Sequence, residues 1–350
     1  MAFKEWFSQI GTRFSNSYMN CQDRLSGQSS WVRLLLGVLL VYLLLILFIG
    51  FYWSAEPKPF DITTVRAQST TAITGDITTS ALIQVASTLL DKRGGYLSND
   101  VFPPGIWLDN LPNWEYGALI QVRDLSRALR EVFSRSQSQS TEDEDLVIAE
   151  PRFNFDTNSW ILPSSESVYR KGIIHLEAYR QRLIDTDHSN AQFYARADNL
   201  SYWLATVESR LGSLSQRLSA SVGQRRINTD LAGEENASQA TPAPNEMIIK
   251  TSWFQIDDVF YESRGSAWAL IHFLKAAEVD FADVLKKKNA LISLRQIIRE
   301  LEETQKPVYS LMILNGNGFG VLANHSLVMA SYLSRAHAAI IDIRELLAQG

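Results

Sequence analysis

The feature that most constrains this 350-residue chain is an uncharged apolar stretch near its N-terminus, from Leu34 to Trp53. In an α-helix this stretch would be about 30 Å long, which matches the hydrocarbon core of a bilayer. Trp31 precedes the stretch and Trp53 ends it, and such aromatic residues are typical of the two membrane–water interfaces. The sequence therefore predicts one transmembrane helix at 34–53.

The charges on either side of this stretch predict its orientation. The basic residues before it are Lys4, Arg13, Arg24 and Arg33, and the charged residues just after it are Glu56, Lys58 and Asp61. Because basic flanks stay in the cytoplasm, the C-terminal part is expected to be exported. The stretch is longer than the core of a cleaved signal peptide, and Trp53 stands where cleavage would need a small residue, so we expect the helix to be retained.

Composition limits the cellular compartments and the classes of partner that are expected for this chain. A hydrophobic content of 46% and a charged content of 20% are ordinary for a folded protein. The net charge of −5 argues against nucleic acid as a main partner. The single cysteine, Cys21, precedes the apolar stretch, so the exported part has no disulfide, which favours a bacterial periplasm over a eukaryotic lumen. The predicted location is a bacterial inner membrane, with a cytoplasmic N-terminus and a periplasmic C-terminal domain.

Hydrophobic periodicity beyond the span predicts a mostly α fold, a periplasmic multi-helix domain with long antiparallel helices. The predicted parts are a cytoplasmic tail at 1–33, a stalk at 54–75, a first helical lobe at 76–223, a flexible linker at 224–245 and a second helical lobe at 246–350. For the tail, an amphipathic helix through Phe3, Phe7, Ile10 and Phe14 and a disordered segment are equally weighted alternatives.

The clearest periodicity is a heptad seam at 193–218, in a helix expected from His188 to Val222. Its members are Phe193, Ala197, Leu200, Leu204, Val207, Leu211, Leu214 and Leu218. Such a seam forms either an intermolecular coiled coil, which would give a homo-oligomer, or a packing surface for a neighbouring helix of the same chain. The second interpretation is favoured, because few complementary charges flank the seam.

A loop from Tyr96 to Tyr116 is one candidate ligand or partner surface. It holds Trp107 and Trp114 close in sequence to Asp109 and Glu115. Aromatic platforms beside carboxylates can bind sugars, and paired carboxylates can cleave glycosidic bonds, so peptidoglycan is a candidate ligand. The competing interpretation, which we favour, is a proline-stiffened loop whose tryptophans cover the helical core.

A second candidate surface is Asn324 and His325, which follow a glycine-rich stretch at 315–320. Glycines between a strand and a helix can bind phosphate on backbone N–H groups, but the lysine and hydroxyl residue of a P-loop are missing. A tight turn with Asn324 as the helix N-cap is therefore favoured. No metal ligands, cofactor or catalytic residues are assigned, and the sequence favours a non-enzymatic function.

Three stretches of the exported part give the chain a resemblance to a known family. They are Gly94-Gly-Tyr-Leu-Ser-Asn-Asp-Val-Phe-Pro-Pro-Gly105, Arg264-Gly-Ser-Ala-Trp-Ala-Leu270 and Gly318-Phe-Gly-Val-Leu-Ala-Asn-His-Ser-Leu-Val-Met-Ala330. On these stretches the chain resembles the domain of unknown function 2333 family, uncharacterised inner-membrane proteins of Gram-negative bacteria. The resemblance implies the compartment, and it implies no activity, cofactor or catalytic residue.

The anchor, the long helices and the heptad seam together favour a membrane-anchored scaffold or assembly factor that contacts other envelope proteins. Two alternatives stay open at this point. One is a module that binds or cleaves peptidoglycan through the aromatic loop. The other is a carrier of an apolar ligand, which would need a continuous cavity inside the helical domain.

Overall fold

The computed structural model describes residues 30–62, 73–137, 139–185, 190–227, 246–310, 312–316 and 320–349. Within these ranges the chain forms ten α-helices and one two-stranded antiparallel sheet. The predicted mostly α fold is confirmed. The amphipathic helix considered for the tail, and His188, lie outside the described residues.

The elements are α1 (Ser30–Trp53), α2 (Asp76–Asp91), α3 (Asn110–Ala128), α4 (Leu146–Phe153), α5 (Ser165–Ile184), α6 (Ala197–Ser219), β1 (Gln224–Ile227), β2 (Glu246–Ile249), α7 (Ile256–Asp280), α8 (Ala282–Lys287), α9 (Leu291–Glu303) and α10 (His325–Ala348). Helix α1 belongs to one compact unit, and Ser54–Gly350 forms the other. Helix α1 is long and apolar enough, by length and composition, to cross a membrane.

Helices α3 and α7 pack against each other at very short range in the core of the second unit. An added Cβ on Gly265 would lie 1.9 Å from the carbonyl oxygen of Trp114, and one on Gly117 would lie 1.9 Å from that of Glu262. The two backbones can approach this closely only because glycine has no side chain. The side chain of Gln121 donates to Ser266 Oγ (2.7 Å) in the same interface.

The heptad seam is buried within the chain. Leu200, Leu204 and Leu211 are fully buried, and α6 packs against α10, so the intramolecular interpretation describes the seam. The expected helix start was wrong, because α6 begins at Ala197. Phe193 lies before it in a non-helical segment, where its ring packs against those of Phe133 (5.3 Å) and Phe281 (5.7 Å).

Helices from both sides of the predicted linker pack together inside the second unit. Helix α3 precedes the linker and α7 follows it, yet they share the close interface described above. Gln224–Ile227, at the start of the predicted flexible linker, forms β1 and pairs with β2. Residues 228–245 lie outside the described residues. The division at 224–245 therefore stays a prediction.

Candidate functional site

The structure separates the four residues of the candidate glycan surface. Trp114 is 0% exposed, and its ring packs 5.0 Å from that of Trp268 in α7. Glu115 is also 0% exposed, whereas Trp107 is largely exposed. Asp109 is exposed at the start of α3, where its carboxylate accepts from the backbone N–H of Asn110 (2.8 Å). Two of the four residues are thus in the core, so these four do not line one open cleft.

Glu115 organises the loop that follows α2. Its carboxylate forms an ion pair with the buried Lys92 and accepts hydrogen bonds from the backbone N–H groups of Leu97 (2.9 Å) and Ser98 (2.9 Å). Burial, followed by the nearby charges of Tyr169 and Glu115, raises the pKa of the Tyr96 phenol. A buried carboxylate with this many partners is satisfied as a structural group.

An exposed apolar surface lies beside this loop, and we name it the apolar loop patch. It consists of Phe102, Ile106, Trp107, Trp160, Ile161 and Leu162, all of which are exposed. The two loops that carry it are joined, because the rings of Phe102 and Trp160 meet edge to face at 6.2 Å. The side-chain amide of Asn99 donates to the carbonyl oxygen of Ser159 (2.8 Å) and further links the loops.

Sequence reasoning placed the loop that carries Phe102, Ile106 and Trp107 near a functional surface, but it missed the second loop of the patch. A usable signal was present, since Trp160, Ile161 and Leu162 are three consecutive apolar residues in a loop. Such a run is unfavourable in water unless something covers it. Leu162 is the clearest case, because it is 90% exposed and its backbone has a φ of 54°. That left-handed conformation costs a residue with a side chain about 1–2 kcal/mol.

Asn324 and His325 stabilise a turn at the start of α10. Asn324 accepts from the backbone N–H of Leu327 (3.2 Å), which confirms it as the N-cap, and it donates to the carbonyl oxygen of Gly316 (2.9 Å). His325 Nδ1 accepts from the backbone N–H of Leu314 (3.0 Å). His325 also lines a pocket of about 170 Å³ with Phe260 and other residues, which is smaller than ordinary ligand sites.

The segment that opens the second unit is fastened to α7 by two contacts that the sequence did not reveal. The carboxylate of Glu56 forms an ion pair with Arg264 (2.6 Å). The guanidinium of Arg264 is nearly buried and also donates to the carbonyl oxygens of Thr304 (2.8 Å) and Lys306 (2.9 Å). A buried arginine with acceptors on several sides is fixed in position, so it holds Glu56 in turn. We name this contact and the next one, together, the entry clamp.

The second contact of the entry clamp joins Phe60 to His272. The backbone N–H of Phe60 donates to His272 Nε2 (3.0 Å), and the two rings stack at 3.8 Å. His272 Nδ1 lies 2.7 Å from the carbonyl oxygen of Trp268, to which it donates when the ring is neutral. Burial, aided by the charge of Lys275, lowers the pKa of His272 to about 4. His272 is therefore neutral at pH 7 and accepts the Phe60 hydrogen bond in that form.

The described residues contain no group of three or more His, Cys, Asp or Glu side chains that could hold a metal ion. A groove of about 660 Å³ lies beside the entry clamp, where residues 55–58 face the end of α2. Its charged side chains are Glu56, Lys58, Asp91, Lys92 and Arg93. Glu56 forms an ion pair with Arg264, Asp91 with Arg170, and Lys92 with Glu115.

Comparisons with known proteins agree with the resemblance seen in the sequence. A family model described as "Uncharacterized protein conserved in bacteria (DUF2333)" matches residues 25–350. No curated protein and no solved structure matches the chain. The match covers the second unit in full and all of α1. The chain therefore belongs to the domain of unknown function 2333 family, whose members are conserved in bacteria.

Proposed function

We propose that the protein is anchored in a bacterial inner membrane by α1, with its N-terminus in the cytoplasm and Ser54–Gly350 in the periplasm. The length and composition of α1 and the bacterial distribution of the family support the anchor and the organism class. The basic residues that precede α1 support the orientation. A reporter fused after Gly350 tests it: activity restricted to a periplasmic reporter is expected, and activity of a cytoplasmic reporter would refute the topology.

We further propose that the second unit is a scaffold or assembly factor that binds another envelope protein. The observation that supports this function is the ribbon formed by β1 and β2. All four residues of β2 are exposed, and Ile227 of β1 is exposed as well. A ribbon with apolar side chains uncovered, and no third strand among the described residues, is only marginally stable in water. A protein partner that pairs with an edge or covers a face would stabilise it.

The scaffold function is better supported by the structure's surface features than the glycan-binding and carrier alternatives are. The aromatic loop does not assemble Trp107, Asp109, Trp114 and Glu115 into one cleft. The pocket beside His325 is small for an apolar ligand, and charged side chains line the larger groove beside the entry clamp. We therefore treat peptidoglycan binding and apolar-ligand transport as outcomes that the experiment below can detect.

The test compares two isoleucines of matched exposure in the full chain. Ile248 in β2 is 71% exposed, and Ile292 in α9 is 70% exposed. After gentle detergent extraction from native membranes, wild type and Ile292→Ser should carry a stoichiometric protein that Ile248→Ser loses. Mass spectrometry identifies the protein, and light scattering reports the stoichiometry and any self-association.

Two results would contradict the scaffold proposal. The first is a monomeric wild-type protein without a stoichiometric companion. The second is a companion that Ile248→Ser and Ile292→Ser retain equally, because the ribbon would then have no part in the contact. Retention of muropeptides or lipid in place of a protein would instead support one of the two alternatives.

A further inference from the structure

The termini of four helices meet at one end of the second unit, which we name the entry end. Helix α2 ends there, and α3, α5 and α7 begin there. Three side-chain contacts join these termini: Lys92 with Glu115, Asp91 with Arg170 (2.8 Å), and Asn113 with Asp258 (2.7 Å). Loops that connect to these termini therefore share the same end of the unit.

The chain enters the second unit at this same end. Residues 55–58 line a groove together with Asp91, Lys92 and Arg93, which end α2 or follow it. Glu56 contacts Arg264, and Phe60 contacts His272 two helical turns further along α7. The segment thus runs parallel to α7, and traced backwards from Glu56 it leads toward the start of α7. Ser54, at the beginning of this segment, follows directly after α1.

The apolar loop patch also lies at the entry end. Phe102, Ile106 and Trp107 are in the loop between α2 and α3, and the other three members are in the loop before α5. Tryptophan, phenylalanine and branched aliphatic residues together are the side chains that favour the interfacial layer of a bilayer. The exposed Trp107 and Trp160 therefore lie at the end where the chain enters its folded unit.

We propose that the apolar loop patch inserts into the interfacial layer of the bilayer that α1 crosses, so that the second unit rests on the membrane surface. The ligand is the phospholipid bilayer itself. This inference rests on the proposed function only in requiring that α1 spans a membrane, and it is independent of the ribbon and its partner.

The charged side chains at the entry end are compatible with contact between this end and the bilayer surface. Lys58 is exposed beside the groove, and its ammonium group can approach lipid phosphates. Asp100 and Asp109 belong to the same loop as Trp107, and burial together with nearby carboxylates raises the pKa of Asp100. The exposure of Leu162 adds a second argument, because a leucine side chain that is 90% exposed is unfavourable in water and lipid removes that penalty.

The test uses nitroxide labels on the full chain in nanodiscs of phosphatidylethanolamine and phosphatidylglycerol. Cys21→Ser removes the native thiol, and single cysteines then replace Ile106, Leu162 or the control Ile292. Ile292 is also apolar and exposed, but it lies toward the other end of α7, since Arg295 in the same helix as Ile292 pairs with Glu278 (2.7 Å). All three positions are exposed, so labelling should leave the fold intact.

The experiment measures how often each label collides with two reagents. One is oxygen, which concentrates in lipid, and the other is a water-soluble nickel chelate. Insertion predicts that labels at 106 and 162 collide several-fold less often with the chelate, and more often with oxygen, than the label at 292. Equal chelate access at all three positions would overturn the proposal. Shielding of 106 and 162 from both reagents would also overturn it, because protein and not lipid would then cover the patch. Loss of the stoichiometric companion protein from Ile248→Ser would not change the expected collision rates.

Discussion

Acidification should release the segment Ser54–Ile62 from α7. His272 can accept the hydrogen bond from the Phe60 N–H only while its ring is neutral, because a protonated imidazole is a donor at both nitrogens. Burial lowers the pKa of His272 from 6.5 to about 4. Since the folded-state pKa is the lower of the two, the neutral ring stabilises the clamp above the unfolded pKa. That stabilisation is lost as the pH falls through 6.5 toward 4.

The size of the effect follows from the two pKa values. A difference of one pKa unit corresponds to about 1.4 kcal/mol, so complete protonation would cost the clamp about 3 kcal/mol. Between pH 7 and pH 5 the expected loss is about 2 kcal/mol, or roughly 20-fold in the opening equilibrium. Asp258 and Asp280 have pKa values raised by burial, so their contribution to stability changes with pH in the opposite direction.

Hydrogen exchange of the full chain, followed by mass spectrometry, measures the opening directly. The peptide that contains Phe60 should lose roughly 20-fold of its protection between pH 7 and pH 5, after correction for the intrinsic exchange rate. The variant His272→Gln is the matched control, because the glutamine amide oxygen can accept from the Phe60 N–H and has no proton to gain in this range. Its protection should be independent of pH over the same interval.

Two results would refute the reasoning. If wild type and His272→Gln have the same pH dependence, another group controls the release. If protection of the Phe60 peptide does not change down to pH 5, either the hydrogen bond does not hold the segment or the ion pair of Glu56 with Arg264 holds it alone. Glu56→Gln alone, which keeps His272, separates these two cases: a pH dependence that appears only in this variant shows that the ion pair had held the segment.

Three further substitutions test the core, each followed by urea unfolding of the full chain. Gly265→Ala should lower the free energy of unfolding by about 1–3 kcal/mol or more, because its Cβ would overlap the carbonyl of Trp114, and an unchanged midpoint would contradict the close helix contact. Glu115→Gln should cost about 3 kcal/mol by leaving Lys92 buried without its counter-charge, and a neutral effect would show that the pair is solvated. Leu204→Asp should unfold the second unit, since Leu204 is fully buried, and loss of self-association alone would favour the intermolecular coiled coil instead.

Local patterns predicted the elements whose signals lie within a few residues of one another. Helix α2 begins at Asp76, where the first helical lobe was predicted to start, and Gly94 and Gly95 follow its end with positive φ. Helix α5 begins at Ser165, after Ser164, whose side chain caps it by accepting from the backbone N–H of Ser167. In these cases periodicity and the residues near the helix ends carry enough information, because helix hydrogen bonds join residues only four apart. The uncharged length of α1 is a signal of the same kind.

The candidate site depended on contacts between residues far apart in the sequence. The sequence around Trp114 and Glu115 alternates between apolar and polar residues without a clear period. This pattern is equally compatible with a surface loop and with the start of a helix. The two residues are buried because α7 packs against α3 and because Lys92 provides the counter-charge. The ion pair of Glu56 with Arg264 joins residues separated by 208 positions, and neither residue alone signals the other.

The sequence by itself determined the long apolar helix α1, the helical class of the second unit and most helix positions, because hydrophobicity and periodicity are local properties. The tertiary structure alone decided which aromatic residues are core and which are surface. It buried Trp114 and left Trp107 and Trp160 uncovered at the end where the chain enters. The physical reason is that burial depends on the partner surface, and the chain brings that surface together only when distant helices pack.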